Sequence, residues 1–370
     1  MRILFITNNF PPVIDGVGDY TYNIAKQFFI HGHEVYVVCK NNLKINTKVN
    51  GITILPIINE WSLGCYKSIV KLVHEKKIDV VSLQYVPHSF HPKGLPFFLI
   101  KLSNEIKKSN AILFTFLHEV SVESEKGNIK RIFLSKLMQY ISKRIIDNSD
   151  YVATSIEYYR KMILKLVPDK ENVPLIPIAS NIPETKLSDT ELKAFKKKLA
   201  PNDETIIAFF GIRKINTSID AVSELLNEGY KLKILIIGKT STAIPKNLPN
   251  QTIKTGALEI EEIDKYFKVS DIFILPQDNI YGCSFKSGSF VAGLRNKLPT
   301  ITAKGKMTSN LLMDKKNILF TDFDNKEEIK KSIMLLLNKN AASQIGSEAF
   351  SIVKNISWEN TFNQYIDILK

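Results

Sequence analysis

Four stretches of the chain carry residue types suited to holding an anion or handling a sugar. The loop Asn8-Asn9-Phe10-Pro11-Pro12-Val13-Ile14-Asp15-Gly16-Val17-Gly18 lies between an apolar run and a helical pattern. There Gly16, Val17 and Gly18 can bring backbone N–H groups close to an anion at a helix N-terminus. The glycines come too late for a GxGxxG dinucleotide fingerprint and no third follows, so an ordinary glycine turn is the competing reading. His88, His91 and Lys93 follow the run Val80–Tyr85, and His118 follows Ala111–Leu117. Polar groups at the carboxyl ends of parallel strands are placed to meet ligands. A capped loop and a structural histidine are the plainer alternatives. Lys286 precedes Ser287-Gly288-Ser289, which pairs one cation with the amides of a helix start. Such a set can hold a diphosphate, and a ligand-free helix cap is its alternative. No DxD-like carboxylate pair ends a strand and no CxxC is present, so no metal is expected.

The elements that must position these residues are legible from the pattern. The chain has 370 residues, which favours two domains. Hydrophobic residues are 44% and charged residues 24%, which excludes a disordered or low-complexity chain. Cys39, Cys65 and Cys283 are too few and too scattered for a disulfide framework, and they suit a reducing cytosol. No run reaches the length of a membrane span, and Met1–Thr7 is too short for a signal-peptide core. A cytoplasmic protein, in solution or resting on the inner face of the cell membrane, is expected. Lys and Arg number 50 against 37 Asp and Glu, a formal charge of +13, which points to an anionic partner.

Short apolar runs alternate with helical periods throughout. Strands are expected at Arg2–Thr7, Glu34–Cys39, Ile52–Ile57, Val80–Tyr85, Ala111–Leu117 and Tyr151–Thr154. They resume at Thr205–Phe210, Lys233–Ile237, Ile272–Leu275, Thr300–Ala303 and Ile318–Thr321. Helical periods include Tyr20–Ile30, Leu95–Ile106, Ser218–Leu226, Ile260–Phe267 and Lys326–Leu337. Strands alternating with helices mean βαβ units and parallel sheets. Pro168, Pro174, Pro177, Pro183 and Pro201 interrupt the alternation before a fresh first strand. The expected domains are 1–184 and 185–355, with a last helix over 356–370 packing back on the first. Residues 126–146 hold Lys126, Lys130, Arg131, Lys136, Lys143 and Arg144 and no acid, with apolar residues at helical spacing. This segment can lie on anionic lipid, or it can be a core helix with a solvated basic side. It contains no nucleic-acid recognition module.

The start Met1–Thr7, the Pro-Pro pair, Gly16-Val17-Gly18 and Gly32-His33-Glu34-Val35 resemble the opening of retaining nucleotide-sugar glycosyltransferases of the sucrose-synthase-like family. The resemblance implies an α/β GT-B fold, two Rossmann-like domains with parallel sheets facing a central cleft. It places the glycine loop near the donor diphosphate, His88, His91 and Lys93 on the acceptor side, and His118 beside the donor sugar. In the second half, Phe210-Gly211-Ile212-Arg213-Lys214 resembles the phosphate clamp, although Thr217-Ser218 stands where a Lys-Gly is usual. Gly238 lies in the matching next loop, and Thr255-Gly256-Ala257-Leu258 resembles the stretch that meets the base.

The region Tyr281-Gly282-Cys283-Ser284-Phe285-Lys286-Ser287-Gly288-Ser289 departs from most relatives. They carry paired glutamates where this chain has Ser284 and Ala292. It is closer to a subgroup reading Asp-Gly-x-Ser-x-Arg-Arg-Gly-Ser, with Lys286 preserving charge. Asp278 is a candidate for the missing carboxylate. The resemblance therefore implies a retaining glycosyltransferase using a nucleoside-diphosphate sugar and no other cofactor. Arg213, Lys286 and His118 would be its catalytic groups. The acceptor would be a cell-surface or lipid-linked glycan. A catalytically impaired nucleotide-sugar binder or assembly partner is the alternative, with a nucleotide-sugar epimerase a more distant one.

Overall fold

In the computed structural model, which describes residues 1–41, 47–124, 127–170, 172–211, 213–245 and 248–370, the apolar runs form two sheets. Lys126 of the basic segment and Ile212 of the clamp motif lie outside the described residues. Contacts divide the chain into Met1–Pro177 with Trp358–Lys370, and Ile178–Ser357.

The first unit holds β1 (Arg2–Ile6), β2 (Glu34–Lys40), β3 (Lys48–Val49), β4 (Ile52–Ile58), β5 (Val80–Tyr85), β6 (Ile112–Leu117) and β7 (Tyr151–Thr154). Their order is β3-β4-β2-β1-β5-β6-β7, parallel except for β3 against β4. The two-residue β3 is too short to leave a period in the sequence. Every residue of β5 is buried, as helices on both faces of a parallel sheet require. The order reverses between β1 and β5, the crevice where such sheets take ligands. Helices α1 (Gly16–Ile30), α2 (Cys65–Glu75), α3 (Pro87–Phe90), α4 (Phe98–Lys107), α5 (Ile129–Asn148) and α6 (Glu157–Leu166) complete the crossovers. α1 starts at Gly16, ahead of the apolar period, because Asp15 caps it.

The second unit holds β8 (Thr205–Phe210), β9 (Leu232–Ile237), β10 (Thr252–Lys254), β11 (Ile272–Leu275), β12 (Thr300–Thr302) and β13 (Leu319–Phe320). Their order is β10-β9-β8-β11-β12-β13, all parallel, with the reversal between β8 and β11. Alternate strand residues feed two cores. Ile206, Ala208 and Phe273 enter one, while Ile207, Phe209 and Ile272 enter the other. Around them pack α7 (Asp189–Leu199), α8 (Asn216–Asn227), α9 (Ile260–Val269), α10 (Gly288–Arg295), α11 (Lys326–Leu337) and α12 (Lys339–Val353).

The prolines suggest a boundary at 184, but residues from Ile178 onward belong to the second unit. The reason is a series of hydrogen bonds. Ile178 N–H donates to Phe285 O at 3.1 Å, Arg295 Nη2 to Ile182 O at 2.9 Å, and Thr185 N–H to Asp264 Oδ2 at 2.9 Å. Segment 178–185 is thus strapped along α10 from the loop before it to its last residue.

Helix α13 (Trp358–Leu369) returns to the first unit. Phe362 stacks edge-on against Phe28 at 4.9 Å and Tyr365 against Phe114 at 4.6 Å, so its apolar face completes that core.

Candidate functional site

In a parallel sheet the strand ends that carry ligands share one edge. On the second unit that edge gathers Gly256 after β10, Gly238 after β9, Gly211 and Arg213 after β8, and Pro276 after β11, in the order of adjacent strands. The first two loops meet directly: Gly238 N–H donates to Thr255 Oγ1 at 2.9 Å, and Gly238 bridges Gly256. Leu258 is half-buried against the core, so that stretch offers backbone rather than side chain.

Arg213 spans the reversal point. Its Nη1 donates to the Pro276 carbonyl at 3.3 Å, joining the loop after β8 to the loop after β11. Its Nε is buried and has no partner among the described residues. Burial holds the guanidinium below its ordinary pKa range. A half-buried cation whose enclosed Nε has no partner among the described residues, at a sheet's ligand edge, is a place for an anion. Lys214 is exposed. Thr217, at the usual Lys position, is half-buried in the first turn of α8 and brings no charge.

α10 starts at the same edge, since it follows the loop from β11. Ser287 is its N-cap, and its Oγ accepts the Phe290 N–H, at 3.3 Å. The Gly288 and Ser289 amides therefore stay at the helix start, where the dipole favours negative charge. Lys286 is half-buried just before them. Ser284 is 5% exposed and its carbonyl accepts the Ser287 N–H at 3.1 Å. Ala292, at the second expected glutamate position, is fully buried in the core, so a carboxylate there would lie among apolar side chains. Asp278 is committed to its own turn: Oδ1 accepts from Tyr281 N–H at 2.8 Å and from Ile280 N–H at 3.0 Å.

The first unit corrects one expectation. The Asp15 carboxylate accepts from Val17 N–H at 3.0 Å and Gly18 N–H at 2.7 Å. Two of the three amides assigned to an external anion thus already serve an internal one. Gly18 is needed for a different reason, because a Cβ there would sit 2.9 Å from Asn9 O. Of the acceptor-side residues, His91 Nδ1 accepts from Lys93 N–H and Leu95 N–H at 3.2 and 3.3 Å, which makes that ring part of the loop's frame. His88 lies beside Gly94 and is exposed, as is Lys93.

His118 follows β6 and is 5% exposed. Its ring lies between Tyr20 and Phe116, at 4.7 and 4.6 Å. Its Nε2 is 3.0 Å from Gln84 Oε1. Gln84 is not among the residues that spacing singles out, although a Ser and a Gln in the apolar run Val80–Tyr85 are a signal for a buried polar contact.

Burial pushes the Cys39 and Cys283 thiols up to about 12, so neither is a thiolate nucleophile near neutral pH. Two cavities of about 300 and 330 Å³ lie at the opposite, amino edge of the second sheet, around Thr205 and Asp271. The wall of the smaller one mixes Lys196 and Lys197 with Asp203 and Asp271, and those pairs neutralise one another.

No protein-family model matches the chain. Over its full length it is 22% identical to the alpha-monoglucosyldiacylglycerol synthase of Acholeplasma laidlawii, covering 98% of that protein. It superposes on Anabaena HepE in complex with UDP with a TM-score of 0.73 at 13% identity, covering 100% of this chain and 99% of that one. The sucrose-phosphate synthase of Thermosynechococcus elongatus gives 0.71 at 13% identity, covering 100% and 98%. The fold is that of the GT-B glycosyltransferases. In GT-B terms, the Arg213 and α10 edge lies on the second unit and His118 on the first.

Proposed function

We propose that the protein transfers a sugar from a nucleoside-diphosphate sugar to an acceptor hydroxyl. The observation that carries this reading is Arg213, a half-buried guanidinium at the reversal point of the second sheet whose Nε has no partner among the described residues. HepE, of the same fold, has been solved with UDP, with UDP and glucose, and with UDP-glucose. Here Arg213, Lys286 and the Gly288 and Ser289 amides take the donor's diphosphate and stabilise the charge that grows on it as the glycosidic bond breaks. Lys214, Gly211, Gly238, Gly256 and Ser284 frame that site. Gly16 supplies the one amide of the glycine loop that Asp15 leaves over. His118 orients the sugar. The reading assigns no protein nucleophile and no metal: the acceptor oxygen attacks the face the diphosphate leaves, which takes the acceptor's proton, and the anomeric configuration is retained.

The buried Ala292 and the turn-bound Asp278 favour one second reading, a binder that has lost turnover. Incubation with UDP- and GDP-sugars separates the two. An enzyme shifts its melting temperature with the right donor and releases free nucleoside diphosphate. A binder shifts without release, and a protein that does neither is outside both readings.

For the acceptor we infer a lipid-linked or cell-surface glycan reached at an anionic membrane. No helix among the described residues is long and apolar enough to cross a bilayer. α5 instead buries Met138, Ile141 and Ile145 and exposes Ile129, Phe133 and Tyr140 by 81, 63 and 53%. Lys136, Lys143 and Arg144 share that exposed face by their spacing along the helix, and Lys130 and Arg131 flank it. Apolar groups among cations suit the headgroup region, with about 1 kcal/mol per basic residue near the surface. Reversing the charge of Lys130, Arg131 and Lys136 together is expected to abolish flotation with phosphatidylglycerol vesicles. Flotation unchanged by that reversal would remove the membrane from the account.

A further inference from the structure

Beneath the carboxyl ends of β5 and β6 lies a buried polar cluster that the reaction scheme does not use. Gln84 Nε2 donates to Ser82 Oγ at 2.8 Å, and both side chains are fully buried. The Gln84 Oε1 therefore faces His118 Nε2, at 3.0 Å. An amide oxygen only accepts, so the proton of His118 sits on Nε2 and Nδ1 is the acceptor nitrogen. Tyr365 of α13 lies 3.2 Å, hydroxyl to hydroxyl, from Tyr20 of α1, and Gln84 and Ser82 lie beside its hydroxyl. α1, β5 and the end of β6 thus meet at the imidazole, with the C-terminal helix behind them.

We propose that Gln84, held by Ser82 and flanked by Tyr365, is the positioning residue that fixes the tautomer and ring orientation of His118, so that the C-terminal helix is a working part of the site. Polar side chains in the middle of a fully buried strand need such a reason, because apolar residues would pack there at less cost. The pair Tyr20 and Tyr365 gives the same answer from the other side. Two tyrosines could close the cluster with rings alone, yet their buried hydroxyls meet each other. The ring contacts of His118 with Tyr20 and Phe116 set its plane, and Gln84 sets which nitrogen carries the hydrogen.

The inference rests on the proposed role of His118, but its test does not depend on knowing the acceptor. Long-range ¹H–¹⁵N spectra of the full-length protein report the tautomer of each histidine, and a His118→Gln variant assigns the resonance. Wild-type His118 is expected as the Nε2–H form. Gln84→Leu, of similar volume, and Tyr365→Phe, which loses one oxygen, are both expected to shift it toward a tautomer mixture, with melting curves confirming the fold. With a donor that is consumed, Gln84→Leu is expected to lower kcat at least about tenfold while donor KM changes less than about twofold. An Nδ1–H form in the wild type overturns the proposal, and so does an Nε2–H signal or a kcat that neither variant changes. An Nε2–H wild type that responds to the variants but consumes no donor supports the positioning role and overturns the glycosyltransferase reading instead.

Discussion

Replacing Gly282 by Ala is expected to destabilise the second unit by about 3 kcal/mol or more. Gly282 has φ of +69°, a region an L side chain rarely adopts. A Cβ there would lie 2.2 Å from the Gly305 nitrogen and 2.6 Å from Thr308 Oγ1. The obstacle is main chain, and it cannot swing aside. Two loops are laced together at this point: Cys283 N–H donates to Ala303 O, Lys306 N–H to Ile280 O and Met307 N–H to Tyr281 O, all at 2.9 Å. Gly305 offers no relief, since a Cβ on it would meet Tyr281 C at 2.3 Å. Thermal unfolding should show a midpoint about 6–12 °C lower for a unit of this size. Gly229→Ala is the control. Its φ is +92° but nothing lies within 4 Å of the new carbon, so only the conformational cost applies. Equal losses in the two variants would show that the close approach of the loops carries no weight.

Asp264→Ala is expected to cost about 2–4 kcal/mol, because it takes a fully buried carboxylate from the half-buried Arg295, leaves that cation the exposed Glu184 at 3.9 Å, and strips an acceptor from two further donors. Asp264 has no exposed surface. Its Oδ1 accepts from Arg295 Nη2 at 3.0 Å and from Asn296 Nδ2 at 2.9 Å, and its Oδ2 takes the Thr185 N–H. One carboxylate thus ties α9 to the end of α10 and to the strap 178–185. Removing it frees the Thr185 end of that strap and loosens Arg295, which holds the Ile182 carbonyl, so the α10 amides assigned to the diphosphate should lose part of their fixed place. The variant should therefore melt lower and bind nucleotide more weakly. Asp264→Asn, which keeps an acceptor for Arg295, should fall between. A melting point within a degree of wild type for Asp264→Ala would show that the strap is held by other contacts.

The strands were legible because parallel strands covered on both faces are written as continuous apolar runs. β5, β7, β8 and β11 appear where those runs are. The residues proposed for the site were legible as loop residues beyond strands, since Arg213 comes just after β8 and the start of α10 follows the loop from β11. What the sequence could not supply was the partner of each polar group. Asp15 reads as an acid beside glycines, and only the folded backbone shows it occupying the Val17 and Gly18 amides. Gln84 and Tyr365 are far apart in the chain, so no local spacing predicts their contact. Ala292 reads as a lost glutamate until its burial shows that the position faces the core. The strap was missed because its hydrogen bonds run to Phe285, Asp264 and Arg295, while its prolines read as a linker.

Calorimetric titration of the full-length protein with UDP and with GDP, repeated on Arg213→Met, tests the central claim most directly. The account predicts saturable binding of one of the two by the wild type, and a Kd at least about tenfold weaker, about 1.4 kcal/mol, in the variant. No binding of either nucleotide, or an affinity that Arg213→Met leaves unchanged, would contradict it.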